Sequence, residues 1–173
     1  MSVASEDGFR RAMGSLAGGV SVVSCCHDGI DHAMTATTVA SVSLQPPLVL
    51  VCIARSSRFW EAISAVDHWA VSILAEEAQP QAAWLATKGR PLAGQLDRVP
   101  HHRSDDGCAL LTDSLAWLEC RRYSQTRAGD HDILVGEVAS AVLGSGTSPL
   151  VYWRSSYKAA SELRSDSPGE RYS

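Results

Sequence analysis

No apolar run in this chain is longer than a β-strand. The longest, Leu48 to Ala54 (LVLVCIA), is rich in β-branched residues and far short of the roughly 20 apolar residues that a helix needs to cross a bilayer. Strand-like runs surround it: GVSVVSCC and TATTVASVS before, then WAVSIL, LAWLECRRYS, DILVGEVASAVLG and LVYWRSSY. Helical spacing recurs in only three places. Phe9, Ala12, Met13 and Leu16 follow Ser5 as a cap; Phe59, Ile63 and Val66 follow Ser56 or Ser57; and EEAQPQAAWLATK reads as a short helix that tolerates Pro80 in its first turn. Six or so strands with a few helices and no regular β-α alternation predict a mainly β or α+β fold, built as an antiparallel barrel rather than a doubly wound sheet.

Within that frame the spacing predicts a hairpin, with a turn at His27-Asp28-Gly29 and a second strand running from Thr35 to Ser43. LVLVCIA, continuous in apolar residues, is expected to be buried on both faces. GRPLAGQLDRVPHHRSDDG, broken by Gly and Pro, reads as an excursion over the surface.

The 173 residues favour one domain, over 1–163, followed by a flexible tail over 164–173. Net charge is −4, and the 15 basic residues are scattered among acids, which argues against nucleic acid or a membrane as partner. The N-terminus lacks the apolar core of a signal peptide, so a cytoplasmic location is expected. Five cysteines without C-x-x-C spacing suit a reduced compartment, and neither Cys25-Cys26-His27 nor His101-His102 completes a metal-ligand set. The common catalytic signatures are missing as well. There is no G-x-G-x-x-G after a strand, no Walker loop, no G-x-S-x-G and no H-E-x-x-H.

What remains is a row of hydroxyls. TATTVASVS places Thr35, Thr37, Ser41 and Ser43 on one strand face and Ala36, Thr38 and Ala40 on the other. Small residues on both faces let a flat ring approach the backbone, and hydroxyls with free N–H groups can surround a phosphate. An ordinary Thr-rich strand reads the same way.

The order HAMTATTVASVSLQPPLVLVCIARSS, then GDHDILVGEV, then PLVYWRSSY resembles the flavin reductase family, the small components that feed reduced flavin to two-component monooxygenases. The resemblance runs from about Phe9 to Tyr157. It implies an FMN-binding split β-barrel, a homodimer with flavin near the subunit interface, FMN or FAD as the flavin, and NADH or NADPH as reductant. Carried over by position, it assigns flavin contacts to Thr35, Ala36, Thr37, Thr38 and Ser41, and to Cys52, Ile53, Ala54 and Ser57. Ser57 would open a helix whose N-terminus favours a phosphate. Where the family carries a base for that phosphate, this chain has Pro91 in GRPLAG. Arg90 or Lys88 would then substitute, or else Arg55 and Arg58.

The same resemblance makes His131 of GDH the residue that meets the nicotinamide nucleotide, as a positioning donor. His32, Tyr152, Arg154 and Tyr157 are expected to help bind that nucleotide; the last three suit a barrel exterior or dimer interface equally. Two other readings stay open, a split-barrel oxidase with permanently bound FMN and a non-catalytic flavin-binding protein.

Overall fold

The computed structural model of the protein describes residues 3–162, and the tail expected over 164–173 lies outside them. The chain opens with helix α1 (Glu6–Met13) and strands β1 (Gly18–Gly19), β2 (Ser21–His27), β3 (Ile30–Ala36), β4 (Ala40–Leu44) and β5 (Pro47–Ala54). Helix α2 (Arg58–Ala65), β6 (His68–Leu74), a 3₁₀ turn (Glu76–Ala78) and α3 (Gln79–Ala86) follow. The remainder is β7 (His101–Arg103), β8 (Ala109–Leu111), the long strands β9 (Ser114–Ala128) and β10 (His131–Leu143), then β11 (Leu150–Trp153) and β12 (Ser156–Ala159). Seven strands form one antiparallel sheet in the order β3-β2-β6-β9-β10-β5-β4.

That order, together with one short link, sets the shape. β3 and β4 are the two outermost strands, yet only Thr37, Thr38 and Val39 separate them in sequence. Four Cα steps span at most about 14 Å, whereas six strand spacings across a flat sheet come to about 29 Å. The sheet must therefore roll until its edges face each other, giving a barrel split along the β3/β4 seam. The strand expected from Thr35 to Ser43 is thus two strands, because the chain leaves one edge at Ala36 and joins the other at Ala40. The hairpin ahead of it forms as read, with Asp28 (φ 52) and Gly29 (φ 74) supplying the two positive φ angles of its tight turn.

Inside the barrel, Val23, Val51, Ile53, Trp69 and Leu134 pack with Phe59 and Ile63 of α2, which plugs one end. The C-terminus of α2 is closed by Arg122, whose guanidinium donates to the carbonyls of Ile63 and Val66. β5 alternates instead of being buried on both faces. Val49, Val51 and Ile53 point inward, while Leu50, Cys52 and Ala54 lie half-buried outside, as expected for an antiparallel sheet with one covered face. A second cluster joins Val20, Val22, Leu74 and Leu150 to Leu85 of α3 and to Leu96 and Val99. These last two belong to the segment read as a surface excursion. Their burial pins that segment to the barrel.

Helix α1 forms where Ser5 caps it, the Ser5 hydroxyl accepting from Gly8 N at 3.2 Å. None of its residues is buried, and Phe9 is 60% exposed. Among the described residues no helix is long and apolar enough to cross a membrane.

Candidate functional site

A cleft of about 610 Å³ opens between β3, the turn from β5 into α2, and the segment running from the end of α3 to Gln95. Of the residues singled out from sequence, it gathers His32, Thr35, Ala54, Ser57, Arg58, Lys88 and Arg90. A volume of this size suits a small organic ligand.

One end of the cleft is cationic. Ser57 caps α2: its hydroxyl accepts from Trp60 N at 3.2 Å and donates to Ala54 O at 2.8 Å. The first N–H groups of any helix lack intrahelical partners, so this end offers donors and a positive dipole to an anion. Arg58 follows directly and makes no hydrogen bond or ion pair among the described residues; burial first, and then nearby cations including Arg58, lower the pKa values of both His32 and Arg90. His32, 8% exposed, is therefore held neutral to lower pH than a free imidazole.

Arg90 and Arg55 are otherwise engaged. Arg90 donates to the carbonyl of Ala33, to Thr87 O at 3.0 Å and to Gln95 Oε1 at 3.3 Å. It straps the cleft wall to β3. Gln95, 3% exposed, completes the strap by donating to Asp31 O at 2.5 Å and by accepting from Trp84 Nε1 on its own carbonyl at 2.8 Å. Arg55 pairs with Asp132 at 3.2 Å and lies 5.0 Å from the centroid of the Trp60 ring. Arg58 and Lys88 are the bases left to face a ligand.

From Ala54 the cleft continues onto a shelf. Directly opposed residues share a sheet face, and the pairings His131 with Ala54, Ile133 with Cys52, Val135 with Leu50 and Ala40 with Leu50 set these side chains together outside the barrel. All but exposed Ala40 are half-buried. His131 stands at the cleft end, its Nδ1 2.9 Å from Asp130 Oδ1. The hydrogen bond to His131 is the main cause that lowers the pKa of the Asp130 carboxyl.

Several expected contacts have other duties. The Thr35 hydroxyl donates to Ala82 O at 2.7 Å, fastening α3 to β3. Thr38 ties the link between β3 and β4 to β5: its hydroxyl accepts from Cys52 N at 3.1 Å and donates to Cys52 O at 3.2 Å. Ala36 and Ile53 point into the barrel core, leaving only their backbone for a ligand. Thr37 lies exposed in the link between β3 and β4, and Ser41 opposes Val49, on the face away from Cys52.

Tyr152, Arg154 and Tyr157 are not brought to the cleft. The two rings meet edge to face at 5.2 Å against the second core cluster. Arg154, at φ 48, stacks on Trp153 at 4.4 Å and donates its backbone N–H to Gly14 O at 3.1 Å, beside the end of α1.

Sequence reasoning missed Asp132. It is 4% exposed and accepts from Gln125 Nε2 at 2.6 Å, Trp60 Nε1 at 2.8 Å and Arg55 Nη1 at 3.2 Å. These bonds, that of Gln125 first, hold its carboxyl below the usual range. The signal was present: in HDILVG an acid occupies the inward parity of Leu134.

Comparison with known proteins agrees with this architecture. A family model described as "Flavin reductase like domain" matches residues 13–161. A probable flavin reductase of Rhizobium meliloti (strain 1021) is 37% identical over 150 residues, 86% of this chain, which spans 47% of that relative's length. Among solved structures, BorF, the flavin reductase component of a bacterial two-component tryptophan halogenase, superposes with TM-score 0.84 at 35% identity, covering 90% of this chain and 98% of BorF. The Streptomyces globisporus NADH:FAD oxidoreductase SgcE6, in complex with NAD and FAD fragments, gives TM-score 0.83 at 27% identity, covering 91% and 96%.

Proposed function

This chain belongs to the flavin reductase like domain family, and from that premise we propose that it is an NAD(P)H:flavin oxidoreductase which reduces FMN or FAD and supplies reduced flavin to a partner monooxygenase. One observation carries the reading. An unpaired arginine at a capped helix N-terminus lines a cleft that adjoins, at Ala54, an outer sheet face of half-buried apolar side chains on which His131 is paired with Ala54.

The residues present fit a flavin nucleotide. Its phosphate belongs at the first turn of α2, with Arg58 and Lys88 as counter-charges. Its ring belongs on the shelf over Ala54 and Cys52, whose small side chains let it approach the β5 backbone. Bound flavin supplies a hydride acceptor, and the nicotinamide nucleotide supplies the hydride. The protein's task is alignment and exclusion of water. His131, partly exposed at the shelf edge, positions the nicotinamide by donating a hydrogen bond, and no nucleophile is required of the chain.

We further propose that two copies associate. The outer face of the shelf carries no other element, and large apolar groups farther along the same sheet lie in water, Leu44 and Leu143 each 85% exposed. Tyr152, Arg154 and Tyr157 would then act at that interface rather than in the cleft of their own chain.

The test is to follow nicotinamide absorbance with and without added FMN, FAD and riboflavin. Turnover that requires added flavin is expected. Turnover without it, on flavin retained through purification, would instead indicate an oxidase with a resident cofactor. Tight flavin binding with no oxidation of NADH or NADPH would indicate a binding protein.

A further inference from the structure

The barrel end beneath the cleft holds a buried carboxylate that no part of the proposed reaction uses. Asp132 receives donors from three separate elements: Arg55 at the exit of β5, Trp60 in the first turn of α2, and Gln125 on β9. Gln125 in turn donates to Ser64 Oγ at 3.0 Å and accepts from Arg122, the same arginine that closes the C-terminus of α2. A backbone bond runs parallel to this set, from Arg55 N to Asp130 O at 3.0 Å. Both the segment from Arg55 to Arg58 and the start of β10 at His131 are thus fixed to one anion.

We propose that Asp132 is a positioning residue for phosphate recognition: by gripping Arg55 and Trp60 it sets the height and direction of the α2 N-terminus against the shelf, and so aims Arg58 at a flavin phosphate. The inference rests on the flavin reading given above. Its physical basis is that a buried carboxylate with three donors cannot shift without leaving a charge unpaired. The turn it holds is correspondingly rigid, and interactions made through a rigid first turn need no reordering when the ligand arrives.

Replacing the carboxylate by an amide keeps the volume and removes the capacity to accept from all three donors. The experiment is to measure the affinity of wild type and Asp132→Asn for FMN and for riboflavin by quenching of flavin fluorescence, alongside KM and kcat for reduction of each. FMN affinity is expected to fall about tenfold with riboflavin affinity changed less than twofold, and the KM for FMN to rise while kcat is largely kept. Equal losses for the two flavins, or none, would overturn the proposal, since a purely structural role does not distinguish them. Trp60→Phe deletes one donor without touching the charge. It is expected to show the same selectivity at smaller size, and it decides the question should Asp132→Asn not fold. Wild type that binds FMN without oxidising NADH or NADPH would remove the reductase reading and leave the Asp132 comparison intact. Wild type that binds neither flavin would remove both.

Discussion

At the scale of single residues, the clearest divergence between text and structure concerns the cations. Pro91 stands where the resemblance implies a phosphate base, and four basic residues, Arg55, Arg58, Lys88 and Arg90, are candidates to replace it. Nothing in the sequence ranks them, because their availability depends on what each guanidinium meets after folding. Arg55 meets Asp132 and Arg90 meets the Ala33 carbonyl, whereas Arg58 meets no partner among the described residues. The hydroxyls behave likewise: Thr35 and Thr38 were legible as polar groups in a strand region, but their use as fasteners depends on α3 and β5 arriving beside them. Arg58→Gln is therefore expected to weaken FMN binding about tenfold, the lower end for a charge-assisted hydrogen bond at an exposed position, with riboflavin binding unchanged. Titration calorimetry with the two flavins checks this, and equal effects on both would reassign the phosphate to another base.

At the scale of elements, short-range pattern carried most of the information. Capping at Ser5 and Ser57, the Asp28-Gly29 turn and the tolerated Pro80 all follow from local chemistry, and each sits where local chemistry puts it. The break between β3 and β4 does not, since alternation continues straight through Thr37–Val39 and only the opposite edges of a rolled sheet interrupt it. Strand β10 shows a similar non-local constraint. Gly136 lies where a Cβ would stand 2.4 Å from the Trp69 ring and 3.0 Å from Cys120 Cβ. Trp69 is 1% exposed and packed in the core cluster with Val71, Cys120 and Leu134. Gly136→Ala should lower the unfolding free energy by about 1–3 kcal/mol through overpacking, read as a reduced urea midpoint with an unchanged slope. A midpoint equal to wild type would mean that the barrel interior yields more readily than its packing implies.

At the scale of the molecule, what a single copy leaves exposed is as informative as what it buries. β10 pairs with β5 only as far as Glu137, so the stretch VASAVL (138–143) is bonded to β9 alone and presents an uncharged, unprotected strand edge. Such edges are normally blunted by charge, by proline or by a cover. Leu143 and Leu44 stand out from this end of the sheet, and α1 turns Phe9 and Met13 to water with no residue of its own buried. An amphipathic helix gains little stability without a surface for its apolar face, and the second copy proposed above would supply one. If that is the cover, the open side of the flavin shelf and the bare strand edge close together, and association and flavin binding become linked. Leu143→Lys combined with Leu44→Lys should then shift the protein from dimer to monomer in sedimentation velocity and, at the same dilution, raise the KM for flavin severalfold. A wild-type monomer with full flavin-dependent turnover would show instead that the shelf is complete within one chain, and would leave the apolar edge and α1 to a different partner, such as the oxygenase.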